Sequence, residues 1–303
     1  MKSFDQLRGV KHSGFGVGGV YVHLVGEREG DVVLCPPLDI FRVEECAFDV
    51  GIQVEWVPRI SQSRGRQMFD SGTTWRLYEC EAGLRFDFNS EMLGVRPYKR
   101  LFVNKEFSRA TLQMSEECLE SREADPLGYP LDELLIMHRL TQEKAIELHG
   151  CGIVRANGVG NLFVGHSGAG KSTTTRLWIS REEVEVLSDD RIIVRPDAAH
   201  TGSSSMRMYG TPWHGEAMFA SPNSAPLSRI FVLEHGHGNV ITRLSKSQAV
   251  AELFARSFVP FHRHEYVDSA LSFLEQVADS VPCYRYSFEP DERAVERVLN
   301  FRD

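Results

Sequence analysis

The stretch Asn161–Thr175, Asn-Leu-Phe-Val-Gly-His-Ser-Gly-Ala-Gly-Lys-Ser-Thr-Thr-Thr, constrains this chain more than any other. Gly165, Gly170, Lys171 and Ser172 complete the pattern G-x-x-x-x-G-K-[ST], with Gly168 as a further glycine inside the loop. The apolar run Leu162–Val164 predicts a strand entering the loop, and Ser172–Ile179 predicts a helix leaving it. That context suits phosphate. Glycines let successive backbone N–H groups converge on phosphate oxygens, and the helix N-terminus adds partial positive charge. The residues expected to touch a nucleotide are Gly165, His166, Ser167, Gly168, Ala169, Gly170, Lys171, Ser172 and Thr173. Lys171 would reach the β/γ-phosphates, and the Ser172 hydroxyl would ligate Mg²⁺.

The chain has 303 residues, room for one large domain or two smaller ones. An apolar share of 42% and a charged share of 25% suit a soluble globular protein. A net charge of −8 disfavours a broad nucleic-acid surface. The start, Met1–Arg8, lacks the apolar core of a signal peptide, and no apolar run approaches the roughly 18 residues that cross a bilayer. The six cysteines are scattered without a C-x-x-C pair, as free thiols in a reducing compartment would be. The expectation is a cytoplasmic protein with neither a nucleic-acid nor a membrane partner.

Two regions differ in character. Residues 1–124 carry short β-prone runs, such as Phe48–Trp56, Thr74–Tyr78, Leu84–Phe88 and Tyr98–Val103, several of them alternating apolar with polar residues. Val32–Leu34 reads as a further short run. Gly14, Gly16 and Gly19 fit G-x-G-x-x-G, but polar residues precede them and a strand follows, so a glycine turn before that strand is the reading. The basic loop Ser61–Gln67 reads as solvated. Around Glu116–Asp125 the chain turns acidic, and Pro126, Gly128 and Pro130 punctuate it. The boundary is therefore placed between residues 124 and 125, with 125–303 as the nucleotide-binding domain. Apolar residues at 131, 134, 135, 137 and 140 predict a helix there, with His138 off its apolar stripe and on the surface.

Three further segments bear on chemistry. Ile146–Val154 predicts a strand joined by the turn Ala156–Gly160 to the strand before the glycine loop, which would bring His149 near a bound triphosphate. Glu185–Val194 reads as a strand, a polar break at Asp189-Asp190, and another strand. Asp189 follows Lys171 by 18 residues (189 − 171), leaving room for one short helix, and a strand end is where ligands of open α/β sheets gather. In the commoner P-loop enzymes the acidic metal-site strand comes much later. Gly210–Glu216 combines glycine, proline, an aromatic and two titratable groups, and suits a loop over a ligand. Glu234–Asn239 and Phe261–Glu265 hold metal-ligand residue types, but the first reads as a strand-to-strand turn and the second lacks a partner cluster.

From about Pro126 onward, the order His149-Gly150, Gly165–Ser172, Asp189-Asp190 resembles HPr kinase/phosphorylase and the phosphoenolpyruvate-carboxykinase-like P-loop proteins. With Trp213 and Glu216 it is most similar to uncharacterised bacterial relatives of HPr kinase. The resemblance implies an α/β fold, a P-loop core with a mixed central sheet of the phosphoenolpyruvate-carboxykinase-like type, preceded here by a β-rich N-terminal domain. It implies ATP and Mg²⁺ as cofactors. It makes Asp189 the base toward an acceptor hydroxyl, with Lys171 catalytic and His149 beside the transferring phosphate or the metal. Ser172, Asp190 and Glu216 would hold the metal. The glycine-rich signature that follows the Asp pair in HPr kinases is missing, as is any match to their N-terminal domain. The expected activity is an ATP-dependent kinase acting on a hydroxyl of a protein serine, a peptide or a small metabolite. A nucleotide-responsive binding protein and an ATPase without acceptor are the alternatives, and self-association into a homo-oligomer stays open.

Overall fold

The computed structural model describes residues 11–44, 47–91, 93–94, 96–118, 125–197 and 205–302. The chain forms two compact units, Met1–Arg139 and Leu140–Asp303. The division falls later than the expected 124/125, because helix α1 (Leu131–Leu140) groups with the first unit almost to its end.

The first unit is a nine-stranded mixed sheet. Its strands are β1 (Lys11–Val17), β2 (Val20–Gly26), β3 (Arg42–Val43), β4 (Val50–Val57), β5 (Arg66–Asp70), β6 (Trp75–Cys80), β7 (Gly83–Phe88), β8 (Lys99–Asn104) and β9 (Arg109–Ser115). They lie in the order β3-β1-β2-β4-β9-β8-β7-β6-β5, with β2–β4 and β4–β9 parallel. Apolar alternation does much of the work: in β2 and β4 alternate residues are buried, as a half-wet sheet requires.

Three local expectations need correction here. Gly14 and Gly16 are not in a turn but inside β1, where a Cβ would lie 2.6 Å from the Phe48 ring and 2.7 Å from the Tyr21 ring. The turn itself is Gly18-Gly19, with positive φ at both, and it joins two antiparallel strands rather than a strand to a helix. Glu29–Val32 forms a 3-10 turn where a strand through Val32 was expected, held by Asp31, whose carboxylate accepts the Glu27 and Arg28 N–H groups. His138 is only 1% exposed, not a surface residue. Its Nδ1 donates to the Leu134 carbonyl at 2.6 Å, and its ring stacks on Phe107 and meets Phe86 edge-on.

The second unit carries strands β10 (Ile146–Arg155), β11 (Gly160–Val164), β12 (Val184–Ser188), β13 (Arg191–Pro196), β14 (Met206–Tyr209), β15 (Ser224–His235), β16 (Val240–Arg243), β17 (Ser257–Phe258) and β18 (Cys283–Phe288). Its helices are α2 (Lys171–Arg181), α3 (Lys246–Phe254), α4 (His264–Ser280) and α5 (Arg293–Leu299). The long strand β10 serves two neighbourhoods. Ile146–His149 pairs with β13, whereas Gly150–Val154 pairs with β11 and, on the other side, β12. β15 does likewise, with its start on β14 and its later residues parallel to both β11 and β18. The pairings β11–β10–β13–β14–β15–β11 thus close into a ring.

Period-two patterning splits the core of this unit between two faces. Leu162, Val164, Ile230 and Val232 point to one cluster with Leu253, Phe273, Leu274 and Val277 of α3 and α4. Phe163, Phe231 and Leu233 point to the other, with Trp178 of α2 and Val295 and Val298 of α5. Phe163 stacks on Phe231 at 5.1 Å between centroids, and Phe231 on Tyr284 at 5.5 Å. The sheet is therefore covered by helices on both faces, so β11, the strand before the glycine loop, is buried throughout and mostly apolar.

Among the described residues no helix is long and apolar enough to cross a membrane. Cys35, Cys80, Cys118, Cys151 and Cys283 are free, as expected, and Cys46 lies outside the described residues.

Candidate active site

β11 runs into the glycine loop and α2 begins at Lys171, so the expected strand, loop and helix are all in place. Gly168 has φ +79° and Gly170, the residue capping α2, has φ +101°. Both lie in the left-handed region that side chains avoid. At Gly170 space forbids one as well, since a Cβ would sit 2.4 Å from the Phe288 ring. The loop is drawn together from within: Ala169 N–H donates to the His166 carbonyl at 3.0 Å, and Lys171 Nζ donates to the Gly165 and His166 carbonyls at 3.1 and 3.2 Å. Lys171 is 7% exposed, and burial lowers its pKa below the usual lysine value. Beneath the loop, burial pushes the Cys151 thiol up to about 12, which makes it an inert core residue and not a nucleophile.

β10 ties this loop to the acidic pair. The His149 carbonyl accepts the Gly165 N–H at 3.2 Å, while the next residue, Gly150, donates its N–H to the Asp190 carbonyl at 3.0 Å. The His149 side chain completes the link, with Nε2 donating to Asp190 Oδ1 at 2.9 Å. The second Asp190 oxygen is paired with Arg191 Nη1, and the Arg191 guanidinium lies 4.0 Å over the Phe258 ring. Burial pushes the Asp190 pKa upward, but the His149 hydrogen bond and the positive charges of Arg191 and Lys171 outweigh it, so the carboxyl sits below its ordinary value. The side chains of His149 and Asp190 remain 21% and 24% exposed, open enough to meet a ligand.

Asp189 is employed differently from the expectation. It is 1% exposed, and its oxygens accept backbone N–H groups from Gly215 at 3.0 Å, Ala217 at 2.8 Å and Phe219 at 3.2 Å. A Cβ at Gly215 would lie 2.9 Å from Asp189 Oδ2, so a side chain there would press on the anchoring carboxylate. Ser188 Oγ adds a bond to the Trp213 carbonyl at 3.2 Å, and Thr211 Oγ1 one to the Arg191 carbonyl at 2.8 Å. The segment from Gly210 to Ala220 is thus fastened over the β12–β13 turn, with Asp189 as its anchor and Glu216 exposed near its tip.

The expected metal donors are the Ser172 hydroxyl and the Asp190 and Glu216 carboxylates, all hard oxygen groups. These oxygen types suit Mg²⁺, which takes one or two carboxylates with phosphate oxygens and waters, but both Asp190 oxygens are already engaged, by His149 and Arg191. Among the described residues no three His, Cys, Asp or Glu side chains are gathered as a ready cation cage. Arg191 and Arg256 were not singled out from sequence. The Arg256 carbonyl accepts the His149 N–H at 2.7 Å, and its position beside β10 follows from the β10–β17 pairing, which spans more than a hundred residues. The Arg that follows the Asp pair was the only available signal.

A scan against models of protein families finds no match to this chain, and a search of curated proteins finds none either.

Proposed function

We propose that this chain is an ATP-dependent phosphotransferase with a P-loop core of the phosphoenolpyruvate-carboxykinase-like type, transferring the γ-phosphoryl group to a hydroxyl of a protein serine, a peptide or a small metabolite. The observation that carries the reading is the position of His149. One residue supports the first glycine of the phosphate loop through its carbonyl and the Asp190 carboxylate through its ring.

Phosphoryl transfer asks little covalent work of the protein; positioning and charge stabilisation supply most of the acceleration. The loop N–H groups and Lys171 would hold the phosphates, and Ser172 and Glu216 would hold Mg²⁺, which supplies divalent charge against the transferring oxygens. The acceptor oxygen bonds to the γ-phosphorus, the bond from that phosphorus to the β–γ bridging oxygen breaks, and the hydroxyl proton leaves. In this reading Asp190 orients that hydroxyl and receives its proton, because Asp189 is engaged by three backbone donors and shielded from solvent. A carboxylate with a lowered pKa suffices when bond cleavage runs ahead of proton loss.

The test is incubation with γ-labelled ATP, Mg²⁺ and a soluble cell extract as acceptor source, alongside the Lys171→Ala variant. Label on an acceptor with the native chain, and none with the variant, supports the kinase. Phosphate release alone would make the chain an ATPase; ADP binding without turnover would make it a nucleotide-responsive binding protein.

A further inference from the structure

We infer that His235 is a positioning residue of the phosphate loop, holding the Gly168 carbonyl outward so that the loop's N–H groups face a bound anion; the inference rests on the nucleotide reading above. His235 ends β15, the strand parallel to β11, and its Nε2 lies 2.7 Å from the Gly168 carbonyl oxygen. A carbonyl can only accept, so Nε2 carries the hydrogen. Phosphate cradles depend on donors converging, and a carbonyl that swung inward would set its negative end against the anion. Gly168, at φ +79°, carries no side chain to fix its peptide, and a Cβ there would meet nothing within 4 Å.

The histidine is well placed to resist it, because its turn is fastened to β18. A Cβ at Gly236 would fall 1.6 Å from Ser287 Oγ, so the backbone passes against that strand. Gly238 N–H donates to Glu289 Oε1 at 3.1 Å, and Asn239 Oδ1 accepts from Glu289 N–H at 3.0 Å and from the Tyr286 hydroxyl at 3.3 Å. The His235 ring stacks on Phe288, the same ring that abuts Gly170. Both left-handed glycines of the loop are therefore buttressed from one place, Gly170 by Phe288 and Gly168 by His235.

The experiment is calorimetric titration of ADP·Mg²⁺ into the full chain and into His235→Ala, His235→Gln and His237→Ala. His237 belongs to the same turn, its ring is fully exposed, and it pairs with Glu289 at 3.5 Å, so it controls for general loosening. Loss of one hydrogen bond should weaken binding about three- to tenfold in His235→Ala. Gln, which offers an amide N–H, should restore affinity to within about twofold, and His237→Ala should bind as the native chain does. Unchanged affinity in His235→Ala, an equal loss in His237→Ala, or a Gln variant as weak as Ala would overturn the inference. Failure of the native chain to bind ADP·Mg²⁺ would overturn the nucleotide reading and the inference with it.

Discussion

His149 and Asp190 stand 41 residues apart in the chain and meet through one hydrogen bond, Nε2–H to Oδ1 at 2.9 Å. The bond exists because β10 pairs with β13 in a register that sets His149 opposite Arg191. It places the carboxylate beside a strand whose backbone already supports the glycine loop, through the Gly165 N–H on the His149 carbonyl.

The two aspartates should therefore separate by substitution. Asp190→Asn should keep the fold and lower transfer from ATP about 100-fold or more, the usual range for loss of an acid–base group. Asp189→Asn should act on stability, since an amide NH₂ would confront backbone donors in a buried site, at about 1–3 kcal/mol. Melting curves and labelled-ATP transfer on both variants distinguish these outcomes; an Asp189→Asn protein as stable as the native one contradicts the anchor role.

Asp190 also predicts an acid limit. Its native pKa is lowered, so near the ordinary carboxylate value the unfolded chain binds more protons than the native one, and stability rises with pH there. The contribution is complete above the unfolded value and is lost as pH falls through the lower native one. Urea midpoints of the native chain and Asp190→Asn should differ at about pH 6, and the gap should begin to close only as pH falls below about 4, the ordinary carboxylate value. A gap that persists to the lowest pH would show that Asp190 does not contribute in this way.

The glycines of the loop should not be equivalent. Gly168→Ala meets no atom within 4 Å and suffers only backbone strain, about 1–2 kcal/mol for the left-handed region. Gly170→Ala adds a collision with Phe288 and should lose both stability and ADP affinity. Denaturant unfolding with ADP titration reads both effects; equal losses in the two variants would rule out the Phe288 contact as the cause.

Trp178→Ala should cost about 3–5 kcal/mol, as large core truncations do. The ring is 1% exposed and packs 5.9 Å from Phe163, so its removal leaves a cavity under α2. A loss below about 1 kcal/mol in urea unfolding would mean that α2 closes onto the sheet without it.

Much of the second unit was readable as local pattern. The strand before the glycine loop, the hairpin from β10 and the break at Asp189-Asp190 all appear where apolar runs and turn residues placed them. His138 was misplaced for an instructive reason. It lies off the leucine stripe of its helix, but Phe86 of β7 and Phe107 of the β8–β9 turn come from far back in the chain and bury it all the same. Helical periodicity reports one buried face and says nothing about a second.

The Asp pair marks the division between the two sources of information. Sequence by itself determined that two carboxylates stand at a strand end shortly after the helix that follows the glycine loop, because that follows from residue types and spacing. Only the tertiary structure decided that Asp189 anchors the 215–219 backbone while Asp190 meets His149. Adjacent residues in a turn project in different directions, and what each side chain meets depends on the strand and loop that arrive from elsewhere in the chain. The same holds for His235: its residue type was visible, but its bond to Gly168 arises from the parallel pairing of β15 with β11.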